Sequence, residues 1–444
     1  MADSVEARPL RLWSAVALVV GQVIAVGIFL TPGSIIRSIA SPLGVLVVWG
    51  VMGAMAMCGA LCYGALASRY PQAGGGYVYL REAYGLRIAF LYGWMCLLLM
   101  DPGITAALAA GLAGYVAYVI PMSDVGMRLV AIAAIASFAV VHIAGVTLGM
   151  RLLTAIAVLK VVLVAALTVA AFSSPAADWN HFMPFVARHP GAPPLVGAAA
   201  GSFVAAFFSF GGWWEVTRIA GEVSEPSRTL PRALLIGLAI VTLTYIAATM
   251  SFIAVVPIGE VVEGQAFIAQ VGEATLGHGG GTVVAAIVIV CVFGSLGAMQ
   301  MIAPRIYTAM ARDGVLPAGV AAIHPRLGTP ARAIATQAVL ASILVAVGTF
   351  ESIVAFFVFI VVLFIAATVV GVFVLRRRDR SIVVPLHPWP ALVFLLLVGV
   401  LLVLIGASNP LLALLGVVTV LAALPVYRVI QARTLASREE ESIP

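Results

Sequence analysis

Long apolar stretches alternate with short polar segments along the whole chain. Each stretch has about the length that a helix needs to cross about 30 Å of hydrocarbon. Because a helix satisfies its own backbone hydrogen bonds, the pattern predicts an all-α membrane protein with twelve transmembrane helices. These helices are expected at residues 12–36, 43–67, 88–119, 127–148, 152–172, 195–217, 233–256, 281–304, 333–350, 352–375, 390–407 and 410–430.

Composition and loop length agree with a single membrane domain. Of the 444 residues, 63% are hydrophobic and only 9% are charged, and the mean hydropathy is +1.15, far from the balance of a soluble domain. The first apolar stretch is longer than the core of a secretion signal, so we expect it to remain as the first helix. The longest connections, residues 173–194, 257–280 and 305–332, are too short for a further domain.

The arginines are distributed unequally between the two sides of the predicted membrane. With a cytoplasmic N-terminus, all arginines except Arg37, Arg128 and Arg188 fall in inside loops and tails, Arg218 included. Basic residues concentrate in the cytoplasmic loops of membrane proteins. We therefore expect a multi-pass protein of the cytoplasmic membrane with both termini inside. The basic pI of about 9.3 then reports topology and requires no nucleic acid as a partner.

The four cysteines, Cys58, Cys62, Cys96 and Cys291, all lie in predicted helices. No pair has metal-ligand spacing with histidines nearby, so we expect reduced packing residues, no metal site and no cofactor. No cysteine lies in an outside loop, where a disulfide to another chain would form. A partner subunit is therefore not expected.

Lys160 is the single lysine of the chain and lies within the apolar stretch 152–172. About 13 Å of helix separates it from Arg151, so its ammonium group does not easily reach the interface by snorkelling. A charge at this depth costs about 3 kcal/mol and usually faces a cavity or a partner. The position therefore favours a functional residue over a snorkelling one.

Two predicted helices contain residues that interrupt a helix. The first has a glycine in mid-membrane, within residues 21–33, followed by Thr31-Pro32-Gly33, and the sixth has Gly211-Gly212. Unwound backbone at membrane depth is tolerated where it lines a cavity, whereas close helix packing on small residues is the alternative. Corresponding breaks in two five-helix halves are typical of inverted-repeat transporters. The expected divisions are a cytoplasmic tail 1–11, repeats 12–172 and 195–375, two extra helices 388–430, and a cytoplasmic tail 431–444.

Breaks of this kind offer backbone groups to a small zwitterion. Freed amide N–H groups at the start of the second half-helix, at the positive end of the helix dipole, bind an anionic group such as a carboxylate. Freed carbonyl oxygens at the end of the other half-helix accept an ammonium group.

Two acidic residues are also expected at membrane depth. Asp101 lies about 21 Å of helix beyond Arg87 and thus near the midplane. It would meet a cationic substrate side chain, take up a proton, or pair with an arginine or another polar group. Glu215 follows the second break and would either cap freed N–H groups or gate the inner exit. The sequence leaves these alternatives open.

Several motifs are similar to those of a known family. Residues 21–33 resemble the helix 1 signature of the amino acid–polyamine–organocation superfamily, G-x-x-I-G-S-G-I-F-x-x-P, especially in its L-amino acid transporter branch. Residues 208–213 and 221–233 resemble helix 6 of that branch and the inside loop after it. Residues 69–77 and 311–317 resemble two further inside loops, so the resemblance spans residues 12–332.

The resemblance implies a LeuT-type fold, with a 5+5 inverted repeat in which helices 1 and 6 are unwound, plus two extra helices. It also implies transport of amino acids by alternating access, with Phe208 as an aromatic gate on the outer side. The implied substrate-binding backbone groups are those of Ala25, Val26 and Gly27 for the carboxylate and of Phe208, Ser209, Phe210 and Gly211 for the amine.

Lys160 resembles a helix 5 lysine that, in sodium-independent members, takes the place where a relative binds sodium. Its ammonium group would then bridge helix 1 carbonyls to helix 8 at Ser295, and no sodium is expected. Two roles stay open for the lysine, which would either carry a coupled proton or act as a fixed charge that tethers helices.

The chain departs from the family pattern at two places. The family's Gly-Ser-Gly is replaced by Ala25-Val26-Gly27, which removes a hydroxyl and adds a branched side chain. We therefore expect a smaller or drier pocket. In helix 2 the family's Tyr-Ala-Glu-Leu becomes Tyr-Gly-Ala-Leu at residues 63–66, so an acidic group is missing.

The expected function is sodium-independent secondary transport of small or medium neutral L-amino acids, as an exchanger or with protons, in a lipid bilayer. One alternative is a transporter of cationic amino acids or polyamines, for which Asp101 is the only support. Another is an amino acid sensor without transport. An enzyme would need a nucleophile with a base or a metal cluster, and a channel would need rings of charge or carbonyls; the sequence contains neither pattern.

Overall fold

The computed structural model describes residues 10–262, 265–347, 350–408 and 410–441, so residues 1–9 and 442–444 of the two predicted tails lie outside it. Within these ranges the chain is almost entirely helical, and its one strand-like pairing is an isolated bridge between Leu10 and Val223. This confirms the all-α prediction. The α-helices are α1 (Leu12–Val23), α2 (Gly27–Ile39), α3 (Pro42–Arg69), α4 (Gly76–Tyr84), α5 (Leu86–Met95), α6 (Asp101–Val119), α7 (Asp124–Ala144), α8 (Val146–Ser173), α9 (Leu195–Phe210), α10 (Pro226–Val255), α11 (Gln265–Leu276), α12 (Gly280–Ile302), α13 (Pro304–Arg312), α14 (Ala318–Ala321), α15 (Ala331–Val347), α16 (Phe350–Arg378), α17 (Trp389–Ser408) and α18 (Pro410–Glu441).

The described helices include nine spans that are long and apolar enough to cross a membrane, and the bent pair α1–α2 makes a tenth. Two shorter apolar helices, Ala331–Val347 and Leu414–Ile430, coincide with the remaining predicted stretches. The structure thus confirms a multi-pass membrane protein. By length and composition alone it supports nine or ten spans, where the sequence predicts twelve.

The first span lies inside the bundle. The α1 half packs against α8, α10 and α12, and the α2 half packs against α9. Burial differs among the other spans. In the apolar segment of Leu86–Val119, 78% of the residues are buried, against 33% in that of α7. Most of α7 therefore lies on the surface of the bundle, whereas Leu86–Val119 contributes to its interior.

The break in the first span lies earlier than Thr31-Pro32-Gly33, and the sequence prediction is wrong on this point. Residues 24–26 form a bend that belongs to neither helix, and the axes of α1 and α2 differ by 51°. Pro32 is inside α2 and does not end it. Proline is tolerated in membrane helices because neighbouring groups satisfy the backbone that it leaves unpaired.

The sixth span is interrupted at the predicted glycine pair. Helix α9 ends at Phe210, and a tight 3-10 helix, Trp213–Glu222, continues the span. Gly212 has a φ of +100°, which a residue with a side chain adopts only with strain. The glycine is therefore what lets the chain turn here.

Candidate functional site

Lys160 binds the unwound end of α1. Its Nζ donates to the carbonyl oxygens of Gly21 and Ile24 at 2.5 and 2.7 Å and to the Ser295 hydroxyl at 2.7 Å. The Ser295 Oγ also lies 2.9 and 3.1 Å from the same two carbonyl oxygens. The last carbonyls of a helix lack intrahelical donors, and Lys160 supplies them. The residue is 1% exposed, so it does not snorkel, and its three N–H donors all have acceptors.

Small residues on two helices make room for this lysine. A Cβ at Gly21 would lie 3.1 Å from the Cβ of Ala157, one turn before Lys160 on α8. A Cβ at Gly294 on α12 would lie 2.3 Å from Ile156 and 3.4 Å from the Cε of Lys160. Gly21 thus lets α8 approach α1 closely enough for the lysine to reach the α1 carbonyls, and Gly294 lets α12 approach α8 beside the lysine.

The two broken spans cross at Gly27 and Ser209. A Cβ at Gly27 would lie 2.6 Å from the Cα of Ser209, so no larger residue fits without a backbone shift. The Ser209 hydroxyl lies 2.7 Å from the Thr31 hydroxyl and donates to the Ala205 carbonyl at 3.0 Å. The start of α2 is thereby held against the end of α9.

Tyr245 on α10 joins the two breaks from the other side. Its hydroxyl lies 2.8 Å from the Val23 carbonyl oxygen and 2.9 Å from the Ser209 carbonyl oxygen, and it shares one proton between them. Tyr245 was not among the predicted site residues, because a single tyrosine in an apolar stretch carries no signal of its partners.

A cavity lies between the two breaks. Its volume is about 60 Å³, several times the roughly 10–15 Å³ that one water needs. It is therefore large enough for a small solute. Its described lining contains no ionisable side chain. The lining residues are Gln22, Val23, Ala25, Val26, Gly27, Ile104, Ala107, Leu108, Phe207, Phe208, Ser209, Gly211, Gly212, Trp214, Val358 and Val361.

Six of the residues predicted to bind substrate line this cavity: Ala25, Val26, Gly27, Phe208, Ser209 and Gly211. Phe210 does not, because its ring is buried against Trp49 and Tyr245, with centroids 6.1 and 5.3 Å away. Lys160 and Ser295 lie behind the unwound backbone, bound to the carbonyls of α1, and do not line the cavity. Gln22, Trp214 and the apolar residues that α6 and α16 contribute also line the cavity and were not predicted from the sequence.

A buried charge cluster contains Asp101, Glu215 and Arg218, each no more than 1% exposed. Arg218 Nη1 donates to both oxygens of Asp101 at 2.9 Å. Arg218 Nε lies 2.5 Å from Glu215 Oε2, an ion pair without the alignment of a hydrogen bond. Tyr307 donates to Asp101 at 3.1 Å and Trp214 donates to Glu215 at 2.6 Å. With both acids ionised, two carboxylates face one guanidinium.

The structure shows that the prediction of Arg218 in an inside loop is wrong, and it shows which groups Asp101 and Glu215 contact. Arg218 belongs to no exposed inside loop; it is buried in the 3-10 half of the sixth span. Asp101 pairs with it, and Glu215 contacts Arg218 and Trp214 through its carboxylate. The sequence did indicate that Asp101 has a partner, because an aspartate at membrane depth needs a cation nearby.

The glycine-rich loop at residues 69–77 packs against the same half-span. Gly74 N–H donates to the Arg218 carbonyl at 2.9 Å, and a Cβ at Gly75 would lie 2.6 Å from Thr217 Oγ1. The next residues reach a second loop motif, since Tyr77 and Arg81 both donate to Asp313 at 2.9 Å. Burial and the Asp313 carboxylate raise the pKa of the Tyr77 phenol.

The end of the half-span is tied down as well. Leu10 N–H donates to the Glu222 carbonyl at 3.2 Å, and Ser224 N–H donates to the Leu10 carbonyl at 2.8 Å. Arg305 Nε donates to the Glu222 carboxylate at 2.8 Å. On the side that carries residue 10, the loop motifs at 69–77, 221–233 and 311–317 therefore meet around this half-span.

Comparison with known proteins agrees with this architecture. The chain matches the amino acid permease family over residues 10–430. It is 29% identical to b(0,+)-type amino acid transporter 1 of Homo sapiens over 402 residues, 89% of this chain and 82% of that protein. It is 28% identical to the serine/threonine exchanger SteT of Bacillus subtilis over 389 residues, 86% of this chain and 87% of that protein. Large neutral amino acids transporter small subunit 2 of Homo sapiens is 28% identical over 438 residues, 95% of this chain and 80% of that protein.

The family match includes both breaks, Lys160 and the charge cluster. It confirms the resemblance seen in the motifs. The relatives are transporters and exchangers of amino acids, which agrees with a cavity at two helix breaks inside a multi-pass membrane protein. The chain belongs to the amino acid permease family and is a membrane transporter, not an enzyme.

Proposed function

We propose that this protein is a sodium-independent secondary transporter of small or medium neutral L-amino acids that works by alternating access. The observation that carries the proposal is a cavity at two helix breaks whose described lining has no charge, with a lysine ammonium bound to the carbonyls of the first break. The exchange of serine and threonine named for the Bacillus subtilis relative supports a small neutral cargo.

The cargo carboxylate is assigned to the backbone N–H groups of Ala25, Val26 and Gly27. These groups stand at the start of α2, where N–H groups lack intrahelical acceptors and the helix dipole favours an anion. All three residues line the cavity. The branched Val26 side chain in place of the family's serine makes this wall of the pocket more apolar.

The cargo ammonium is assigned to the backbone carbonyls of residues 208–211. The Ser209 carbonyl already accepts from Tyr245 at 2.9 Å, but a carbonyl oxygen has two lone pairs and can accept a second donor. Phe208 lines the cavity and is proposed to close over the cargo. Phe210 would contribute only its backbone, because its ring packs away from the cavity.

Lys160 is assigned the role of a resident cation. Two carbonyl oxygens and one hydroxyl surround its ammonium group, which is the type of oxygen site that unwound transporter helices offer to sodium. An ammonium group held there makes an added sodium ion unnecessary. A fixed tether and a coupled proton are both compatible with this position.

The geometry speaks against a cationic cargo. Such a cargo would need an acidic partner in the cavity, whose described lining has none. Asp101, the residue on which that alternative rests, is paired with Arg218 and lies outside the lining. We therefore assign Asp101, Glu215 and Arg218 to closing the exit on the side that carries residue 10.

We further propose that the protein lies in the cytoplasmic membrane with both termini inside and works without a disulfide-linked subunit. The arginine distribution supports the orientation. The absence of cysteine from the outside loops of the sequence supports the second point.

Counterflow in proteoliposomes tests the function. Liposomes without sodium are loaded with one unlabelled amino acid, and uptake of labelled serine, alanine, leucine, lysine or putrescine is followed. We expect accumulation of the small neutral amino acids only, and a pH gradient then separates exchange from proton coupling. Accumulation of lysine or putrescine alone would contradict the proposal, and binding without any flux would identify a sensor.

A further inference from the structure

Gln22 places a polar group in the apolar part of the cavity wall. It stands in the last turn of α1, lines the cavity and is 5% exposed. Its side chain packs on the second break, because a Cβ at Gly212 would lie 2.8 Å from its Cγ. The residue therefore touches both broken spans.

One end of the Gln22 amide is bound and the other is not. Its Nε2 donates to the Met299 sulfur at 3.3 Å, whereas its Oε1 is buried without a hydrogen-bond partner in the protein. Exchanging the nitrogen and oxygen assignments would place the amide oxygen against the Met299 sulfur, which cannot donate, so at least one amide end stays unpaired. Several buried side-chain atoms in the described part of the chain lack a partner. Among their residues, Gln22 is the one that lines the cavity.

Two other side chains of the described lining carry a polar atom, and both atoms are already hydrogen-bonded within the protein. The Ser209 hydroxyl is bonded to Thr31 and to the Ala205 carbonyl. The Trp214 indole N–H donates to Glu215. The remaining lining side chains are aliphatic or aromatic, apart from the glycines. The amide of Gln22 is thus the group with hydrogen-bonding capacity left for a cargo side chain.

We propose that Gln22 selects cargo with a small, uncharged polar side chain, such as a hydroxyl, over an apolar side chain of the same size. This inference rests on the proposed amino acid cargo, with its carboxylate and ammonium at the two breaks. A hydroxyl can pair with either end of the amide. An apolar isostere would leave the buried amide end unpaired, which disfavours its binding.

Threonine and valine, which have nearly the same shape, test this directly. Their dissociation constants for the purified protein are measured by calorimetry, together with those of serine and alanine. One hydrogen bond predicts that threonine binds roughly 5- to 10-fold more tightly than valine. Gln22→Met keeps the unbranched shape of the side chain and should bring this ratio close to one, by weakening threonine binding.

Ser202→Ala is the matched control. Ser202 is also buried, and its hydroxyl has no partner in the protein, but it lies outside the cavity lining. This variant should keep the threonine preference of the wild type.

Equal binding of threonine and valine by the wild type overturns the inference without any variant. A preference that survives in Gln22→Met overturns it as well, as does a failure of all four amino acids to bind. Because binding is measured, the result is separate from transport: selective binding without counterflow would support the role of Gln22 and contradict the proposed transport.

Discussion

Lys160 shows how much one residue type can reveal in an apolar chain. The sequence marks it as the single lysine, deep in a predicted membrane helix, and the structure gives its ammonium group three acceptors. The physical link is the cost of a bare charge in hydrocarbon, which requires a partner or a cavity. The identity of the acceptors was accessible only through the family resemblance.

Removing the lysine should abolish transport. Lys160→Ala leaves the Gly21 and Ile24 carbonyls with only the Ser295 hydroxyl, and each unpaired buried carbonyl costs about 1–3 kcal/mol. We expect counterflow below about a tenth of the wild-type rate. Ser295→Ala should have a smaller effect, because Lys160 keeps both carbonyls. Wild-type counterflow by Lys160→Ala would contradict its assigned role.

The charge cluster predicts an order of stabilities among its variants. Arg218→Met leaves Asp101 and Glu215 without a cation and should lower the free energy of unfolding by about 3–5 kcal/mol. Asp101→Asn should cost less, because one acid and one base remain and the amide oxygen can still accept from Arg218. Thermal unfolding of the purified variants measures this order.

Arg228→Met is the control for that series. Arg228 pairs with Glu225 at 3.8 Å, and both side chains are about three-quarters exposed, at 77% and 75%. Such a pair contributes little, so no shift in the unfolding midpoint is expected. An Asp101→Asn variant less stable than Arg218→Met would contradict the proposed electrostatics.

Apart from Lys160 and Ser295, which the family resemblance brings together, the side chains that meet across helices could not be predicted. Arg218 follows a break and precedes a loop motif, so its sequence position suggests an inside loop; only the packing of α6 beside the sixth span brings it to Asp101. Tyr245 donates to a backbone carbonyl of the first span, and Gln22 packs on Gly212 of the sixth span. A single sequence contains no record of such contacts.

The presence of broken helices was predictable, because glycines in mid-membrane are unfavourable unless the backbone unwinds. The glycine pair at 211–212 is where the sixth span turns. In the first span the break occurs at residues 24–26, where no glycine or proline stands. There the lysine and serine that bind the carbonyls from other helices compensate for the lost intrahelical bonds, and local sequence does not report them.

Gly27 tests the crossing of these two elements. Gly27→Ala adds a Cβ 2.6 Å from the Ser209 Cα, so α2 and α9 must separate. We expect the unfolding midpoint and the counterflow rate both to fall. Gly50→Ala is the matched control, because nothing lies within 4 Å of its added Cβ and alanine favours a helix over glycine by about 1 kcal/mol. Equal behaviour of the two variants would contradict the close crossing.

In the whole molecule the cavity and the charge cluster are separate. The described lining of the cavity lies at the two breaks and has no charge, whereas the Asp101–Arg218–Glu215 cluster and the paired loops join segments on the side that carries residue 10, where we propose the exit. Alternating access requires these contacts to separate while the cavity remains intact. The hydropathy pattern predicts the class of protein and most of the spans, whereas this division of roles depends on packing between distant segments.

The sodium dependence of amino acid counterflow tests the central claim most directly. Proteoliposomes loaded with serine are assayed for labelled serine uptake, first in sodium buffer and then with all sodium replaced by choline. Because the Lys160 ammonium group already occupies the oxygen site at the first break, we predict the same rate in both buffers and loss of that rate in Lys160→Ala. A wild-type rate that falls steeply on removal of sodium would contradict the account.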